Sequence, residues 1–233
     1  MTRFENRFEA GSFLAQRLMH HAGDPKVTVL ALPRGGVPVG FEVARALGAP
    51  LDVFVVRKLG APGYEELAMG AIATGGVRVF NDEVIQHLGV SPAWIEATIA
   101  EQEEELRRRE RIYRGDRPPA EPEGRTVILV DDGLATGASM RAAVRALRQR
   151  HPAAITVAVP IGSADTCDQF RAEVEEVVCA RTPEPFHAVG AWYLDFTQTT
   201  DEEVRELLDR AAHERRIRRI RAHNHTPQAI GLP

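Results

Sequence analysis

Short unbroken apolar runs alternate along the chain with amphipathic segments of helical period. Phe4 to His20, for example, carries Phe13, Leu14 and Leu18 on one side at helical spacing. Uninterrupted apolar runs are typical of parallel strands that are covered on both faces. The runs are Val27 to Leu32, Leu51 to Val56, Val127 to Val130, Ile155 to Pro160 and Val174 to Cys179. The alternation predicts an α/β fold, a mostly parallel twisted sheet with helices on both faces.

Segments outside this alternation predict additions to a single domain spanning residues 1–233. Residues 67–80 predict two short strands around a Thr-Gly-Gly turn, and residues 81–114 predict a helical insertion. Residues 181–199, which follow the last predicted strand, predict a small C-terminal hood. Residues 213–233 are expected to form a flexible tail, because chain ends are often poorly ordered.

Composition excludes several classes of protein. The chain is 44% hydrophobic and has no run of about 18 apolar residues, so we expect no membrane segment and a cytoplasmic location. A net charge of -4 argues against a general nucleic-acid binder, although Arg215 to Arg221 is locally basic. The cysteines, Cys167 and Cys179, lack the CxxC spacing of a metal site, so we expect reduced thiols and no disulfide.

The segment from Val127 to Ser139 carries the clearest chemistry. It reads VILVDDGLATGAS, which is an apolar strand, two carboxylates and a turn of small residues that opens a helix. Strands of open α/β sheets build ligand crevices at their carboxyl ends, and helix N-termini bind phosphate. Asp131 and Asp132 would repel a phosphate unless they face sugar hydroxyls or hydrated Mg²⁺. The segment therefore indicates a sugar-phosphate site; the alternative is a buried strand and its turn.

Other phosphate motifs are absent from the sequence. There is no GxxxxGK[ST] loop, and Gly35 to Gly40 lacks the GxGxxG spacing of a dinucleotide fold. The segment from Val127 to Ser139 resembles the signature of type I phosphoribosyltransferases, which bind 5-phosphoribosyl 1-diphosphate (PRPP). Ala135 stands where the hypoxanthine-guanine branch has an aspartate proposed as acid/base, so the chain is closer there to the adenine and orotate branches.

The resemblance implies a role for each residue of the loop. Asp131 and Asp132 are expected to hold the ribose hydroxyls and to help organise Mg²⁺. The remaining PRPP-binding residues of the loop, with the last five holding the 5′-phosphate, are Gly133, Ala135, Thr136, Gly137, Ala138 and Ser139.

A second loop is expected to bind pyrophosphate. Pro33-Arg34-Gly35-Gly36 follows the first predicted strand, and Arg57 and Lys58 end the second. By the resemblance, Arg34, Gly35, Gly36, Arg57 and Lys58 contact pyrophosphate, and a mobile lid occupies the loop Leu59 to Glu66. Glu65 and Glu66 are candidates to take the proton of the acceptor.

The stretch from Arg181 to Phe196 is expected to line the acceptor pocket. It reads RTPEPFHAVGAWYLDF and resembles the end of the hypoxanthine-guanine enzymes, although a lysine that recognises the purine is replaced near Ala180. We expect Phe186 and Tyr193 to contact the acceptor, and Asp195 to join Asp132 as a metal ligand. The alternative for each aromatic residue is a packed edge of the core.

Three functions remain in competition. The first is a Mg²⁺-dependent, homodimeric phosphoribosyltransferase of nucleotide metabolism, which transfers ribose 5-phosphate from PRPP to an unidentified small-molecule acceptor. Its catalytic residues are expected to be Asp131, Asp132, Arg34 and Lys58. The second is a regulator that senses PRPP without catalysis, and the third is a phosphatase or hydrolase with Asp131 as nucleophile. The third is disfavoured by the TGAS sequence and by the absence of a GxSxG motif.

Overall fold

A five-stranded parallel sheet forms the centre of the computed structural model, which describes residues 2–224 except for the side chains at 65, 66, 219 and 222–224. The strands of the protein are β1 (Val27–Ala31), β2 (Leu51–Val53), β3 (Val56–Ala61), β4 (Tyr64–Ala73), β5 (Val77–Phe80), β6 (Thr126–Val130), β7 (Ala154–Val159) and β8 (Glu176–Cys179). Those of the parallel sheet lie in the order β2-β1-β6-β7-β8, and every neighbouring pair is parallel. A second, antiparallel sheet has the order β3-β4-β5.

Helices cover both faces of the parallel sheet, as the alternation predicted. The helices are α1 (Arg7–Ala15), α2 (Gly36–Leu47), α3 (Asp82–Leu88), α4 (Pro92–Arg114), α5 (Ala138–Arg148), α6 (Ala164–Phe170) and α7 (Asp201–Asn224). Leu30 and Leu129 pack in one buried cluster with residues of α5 and α6, whereas their neighbours Val29 and Ile128 pack with residues of α1 and α2. Successive side chains of a strand point to opposite faces, which explains the unbroken apolar runs.

The predicted strand from Leu51 to Val56 is divided between the two sheets. Phe54 makes the last backbone hydrogen bond towards β1, to the carbonyl of Ala31 (2.9 Å). The next residue, Val55, binds Thr74 instead. The Oγ1 atom of Thr74 accepts from the Val55 N–H, and the Thr74 N–H donates to the Val55 carbonyl, both at 2.9 Å. Strand β3 therefore pairs with β4, and most of the predicted lid is part of this hairpin. An apolar run in the sequence does not indicate where the chain leaves one sheet and pairs with a strand of another.

The helices of residues 81–114 pack over the second sheet. Met69 and Ile72 of β4 share a buried cluster with Ile99 and Leu106 of α4 and with Leu207 of α7. Helix α7 includes residues 213–224, which were predicted as part of a flexible tail, and residues 225–233 lie outside the described part of the chain. Within residues 2–224, no helix combines the length and apolarity needed to cross a membrane.

The structure contradicts the expectation of reduced cysteines. Cys167 of α6 and Cys179 at the end of β8 form a disulfide, with their Cα atoms 6.4 Å apart. The expectation considered only the CxxC spacing of metal sites, whereas these cysteines are 12 residues apart. Because α6 is followed directly by β8 and packs against it, the return of the chain brings the two side chains together.

Candidate functional site

The two aspartates lie at the carboxyl end of β6, beside the loop that follows β1. Val130 pairs with Ala31, so Asp131 and Asp132 emerge next to the chain that leads into α2. A Cβ atom on Gly35 would lie 2.0 Å from Oδ2 of Asp132, and one on Gly36 would lie 2.7 Å from the Val130 carbonyl oxygen. Only glycine permits this approach. The structure thus brings together the two loops that were predicted to bind the 5′-phosphate and the pyrophosphate.

One side of the loop from Gly133 to Ser139 is hydrogen-bonded to the rest of the chain, and its other side is exposed. The Leu134 N–H donates to the Ile161 carbonyl (2.9 Å), and Thr166 Oγ1 donates to the Ala135 carbonyl (2.7 Å). Gly137 has φ 75°, and a Cβ atom there would lie 2.8 Å from the Phe170 ring. Helix α5 starts at Ala138, so its unpaired N–H groups face the exposed side of the loop, where anions bind favourably.

Burial disfavours the ionised forms of both aspartates. Burial, and then the charge of Asp132, raise the pKa of the Asp131 carboxyl well above its usual value, although the Asp132 N–H donates to Asp131 Oδ1 at 2.8 Å. Burial also raises the pKa of Asp132, against the opposing effect of Arg7. A cation or hydrogen-bond donors from a ligand would relieve the cost of these charges.

Arg7 belongs to the site and was missed by the sequence analysis. Its Nε lies 2.8 Å from Oδ2 of Asp132, its Nη1 donates to the Thr197 carbonyl at 2.8 Å, and its guanidinium lies 3.9 Å from the Phe196 ring centroid. Arg7 is 9% exposed. An arginine in the first turn of an opening helix usually faces solvent, and nothing in the sequence relates it to Asp132.

Tyr193 is buried in this structure, and its contact with the acceptor stays a prediction. Its ring is buried against Phe4 and Phe196, and its hydroxyl donates to the Asp132 carbonyl at 2.6 Å. Burial, and then the charge of Asp132, raise the pKa of Tyr193. Tyrosine combines an apolar ring with a polar tip, and here both are used to support the aspartate. Phe186 is partly buried against the same cluster.

The side chain of Asp195 is exposed, and its carboxylate is hydrogen-bonded within a local turn. Its Oδ1 accepts hydrogen bonds from the N–H (2.9 Å) and hydroxyl (2.6 Å) of Thr197, and these bonds lower the pKa of the carboxyl. Arg7 lies between this turn and the aspartates, since it binds Asp132 and the carbonyl of Thr197. The carboxylate of Asp195 is thus engaged with Thr197, and its role as a metal ligand stays a prediction.

Arg34 lies beside α7 in this structure. Its Nη1 is 3.7 Å from Oδ1 of Asp201, which also accepts a hydrogen bond from the Tyr113 hydroxyl at 2.9 Å. About a third of the Arg34 side chain, 33%, is exposed. Arg34 therefore follows the strand end as predicted, but a carboxylate competes for its charge.

Arg57 and Lys58 are not at a strand end of the parallel sheet, so their predicted placement is wrong. They lie within β3 and point to opposite faces of it. Arg57 contacts α4, where its Nε and Nη2 donate to Oε1 of Gln102 at 3.0 and 2.7 Å, and burial lowers its pKa. Lys58 is exposed on the same side of the strand as Val56, which packs against the cluster that contains α5 residues.

The residues present fit Mg²⁺. This ion prefers oxygen ligands, and Asp131 and Asp132 offer carboxylates at the opening of the phosphate loop. The pKa values of both carboxyls are raised, because burial makes their negative charges costly. A bound cation would stabilise these charges. Adjacent N–H groups of α5 and the cation of Arg34 suit phosphate groups. The site can thus hold an anionic sugar phosphate together with a divalent cation.

This combination of fold and site defines a class of protein. The chain belongs to the family of the phosphoribosyl transferase domain, whose model matches residues 3–181. Among its relatives is "Putative phosphoribosyl transferase Rv0571c" of Mycobacterium tuberculosis, which is 49% identical over 211 residues. That match covers 91% of this chain and 47% of the relative, so the chain spans about half the length of the curated relatives it matches.

A solved structure is also similar over most of both chains. The crystal structure of TT1426 from Thermus thermophilus has 45% sequence identity to this chain and a TM-score of 0.80. The match covers 89% of this chain and 98% of that one. The predicted α/β fold, a mostly parallel sheet with helices on both faces, is thus confirmed, and it is the fold of a chain that belongs to the phosphoribosyl transferase domain family.

Proposed function

We propose that this protein binds PRPP with Mg²⁺ and transfers its 5-phosphoribosyl group to a small nucleophilic acceptor, with release of pyrophosphate. The observation that carries the proposal is the contact of the loop after β1 with the aspartates after β6, next to the N-terminus of α5. PRPP has a phosphate, two ribose hydroxyls and a pyrophosphate in one molecule. The three adjacent groups of the site match these three parts.

The ribose end is bound by the segment after β6. The N–H groups of the loop and of the first turn of α5 bind the 5′-phosphate, with Thr136 and Ser139 exposed as further donors. The carboxylates of Asp131 and Asp132 accept hydrogen bonds from the 2′- and 3′-hydroxyls. Arg7 and Tyr193 hold Asp132 from behind through its carboxylate and its carbonyl, and so fix its direction.

The leaving group is bound by the loop after β1. Glycines at positions 35 and 36 let the backbone approach the aspartates, and Arg34 supplies a cation for the charge that develops on pyrophosphate. Mg²⁺, when bound, neutralises pyrophosphate charge and so lowers the barrier to its departure. Lys58 is proposed as a second cation for this group, from the face of β3 nearer α5. Arg57 is less suited, because it points to the opposite face of β3, where it contacts α4.

Residues of the C-terminal hood are proposed for the acceptor side. Phe186 is proposed to stack on the acceptor, and Asp195 to approach the metal-bound pyrophosphate. Ala135 has no group to exchange a proton with the acceptor, and the side chains of Glu65 and Glu66 lie outside the described residues. A homodimer and a cytoplasmic location remain predictions.

The transferase is tested by a pyrophosphate-release screen over purines, pyrimidines and other nitrogen acceptors, with PRPP and Mg²⁺ present. We expect one class of acceptor to give release that is lost in Asp131→Asn/Asp132→Asn. Wild-type activity in that double variant would contradict the roles given to the aspartates.

A second candidate is a PRPP sensor without catalysis. Two observations favour it: Ala135 lacks a proton-accepting group, and Asp201 pairs with Arg34. A sensor would bind PRPP as tightly as an enzyme but release no pyrophosphate with any acceptor. Binding measured in the same sample as the release screen separates the two functions.

A further inference from the structure

Two histidines and a glutamate converge at the amino end of the edge strand β8. His20 and His21 end the 3₁₀ helix Gln16–His21, and Glu176 is the first residue of β8. The Nε2 atom of His20 lies 2.9 Å from Oε1 of Glu176, and the Nε2 atom of His21 lies 2.8 Å from Oε2. One ligand atom from each residue lies within 4.8 Å of the other two.

This cluster is separate from the phosphoribosyl site. The aspartates and the phosphate loop lie at the carboxyl ends of the parallel strands, whereas Glu176 begins its strand and pairs with Thr156 of β7. The cluster therefore lies towards the amino ends of the parallel strands, away from the ends that carry the aspartates.

The carboxylate of the cluster is held in its direction by a further residue. The hydroxyl of Thr156, a residue that is 1% exposed, donates to Oε2 of Glu176 at 3.0 Å. A carboxylate with such an outer hydrogen-bond partner is the arrangement that metal ligands commonly have.

We propose that His20, His21 and Glu176 bind a divalent transition metal ion of the Zn²⁺ class. Two imidazole nitrogens and one carboxylate oxygen form a ligand set that Zn²⁺ accepts, with a fourth position left for water. Imidazole ligands disfavour Mg²⁺ and Ca²⁺, which prefer oxygen. On binding, each histidine presents an unprotonated Nε2 to the metal: an imidazolium ring releases that proton to solvent, and a neutral ring carries its proton on Nδ1 instead.

The bound ion has a structural role. It joins the 3₁₀ helix that continues α1 to the edge strand β8, two elements far apart in sequence. An ion that binds the folded chain and not the unfolded chain raises the melting temperature, and the rise grows with the logarithm of the ion concentration above its Kd. Because α1 also carries Arg7, the ion would anchor the second end of this segment to the sheet.

The test is a calorimetric titration of the untagged 233-residue chain with ZnCl₂ after treatment with EDTA, together with thermal unfolding and the absorption spectrum with Co²⁺. We expect one ion per chain, a higher melting temperature and a Co²⁺ spectrum of low coordination number. His20→Ala is the main variant, because the His20 side chain is 54% exposed and its loss is compatible with folding. His21→Ala and Glu176→Gln complete the set, and His87→Ala, at an exposed histidine of α3, is the matched control.

Each outcome supports or overturns the site. Loss of the ion in the three ligand variants, with retention in His87→Ala, supports it. Thr156→Val keeps the side-chain shape, and we expect it to weaken Zn²⁺ binding by about tenfold or more. Absence of wild-type binding, or binding that His20→Ala and Thr156→Val leave unchanged, would overturn the site. Retention of Zn²⁺ in Asp131→Asn/Asp132→Asn would show that the ion is not at the PRPP site.

Discussion

Arg7 of α1 and Asp132 after β6 form an ion pair with a separation of 2.8 Å, and their side chains are only 10% and 16% exposed. An uncompensated charge in such a place is costly, so each residue requires the other. The pair joins the opening helix to the proposed ribose site. Stability and ligand binding are therefore expected to depend on the same contact.

Replacing Arg7 tests this dependence. We expect Arg7→Met to lower the free energy of unfolding by about 3 kcal/mol, since it leaves a largely buried carboxylate without its cation. Binding of PRPP should weaken in the same variant. Urea unfolding and calorimetry measure the two effects, and Arg3→Met, at an exposed arginine nearby, is the control. Equal stability of both variants would contradict the role of Arg7.

Asp131 is expected to reduce the stability of the ligand-free protein at neutral pH. Its pKa is raised on folding, so the native chain holds this proton more tightly than the unfolded chain does. The resulting stabilisation is present below the unfolded pKa of about 3.9 and is lost as pH rises towards the folded value. Asp131→Asn has no such loss. Thermal unfolding across this pH range should show a smaller decline in the variant than in the wild type, and an equal decline would contradict the prediction.

The variant Tyr193→Phe distinguishes two roles for Tyr193, which are support of Asp132 and contact with the acceptor. The variant removes only the hydroxyl that donates to the Asp132 carbonyl. We expect a loss of about 1–2 kcal/mol in unfolding free energy and weaker PRPP binding. Tyr64→Phe, at a tyrosine that is 62% exposed, should change neither. A raised KM for the acceptor with unchanged PRPP binding would instead return Tyr193 to the acceptor pocket.

Asp201 is expected to weaken pyrophosphate binding by pairing with Arg34. Asp201→Asn should tighten pyrophosphate binding up to about fivefold, because a partly exposed ion pair contributes up to about 1 kcal/mol. Asp209→Asn is the matched control, since Asp209 lies on the same helix and pairs with Arg117 at 3.2 Å. Calorimetry with pyrophosphate measures both variants. Tighter binding in both, or in neither, would contradict the competition.

The strand, turn and helix start of the predicted phosphate loop could be predicted because they depend on one continuous stretch of sequence. Strand, aspartates, small residues and helix start follow one another from Val127 to Ser139, and the structure keeps that order. The loop at Pro33 was predictable for a related reason, since the carboxyl ends of parallel strands share one edge of a sheet.

The missed features depend on contacts between distant parts of the chain. Arg7 meets Asp132 across 125 residues, and no local pattern signals that pairing. Arg57 was misplaced because the hydrogen bonds of Thr74, rather than any feature of the apolar run, end β2 and begin the second sheet. Cys167 and Cys179 meet because α6 packs on β8, which their spacing alone does not reveal.

The most direct test of the proposed function is calorimetric titration of PRPP, with Mg²⁺ present, into wild-type protein and into Asp131→Asn/Asp132→Asn. We predict one PRPP per chain for the wild type and no measurable binding for the double variant, with both proteins folded by circular dichroism. Absence of binding to the wild type, or equal binding to both proteins, would contradict the assignment of Asp131 to Ser139 as a PRPP site.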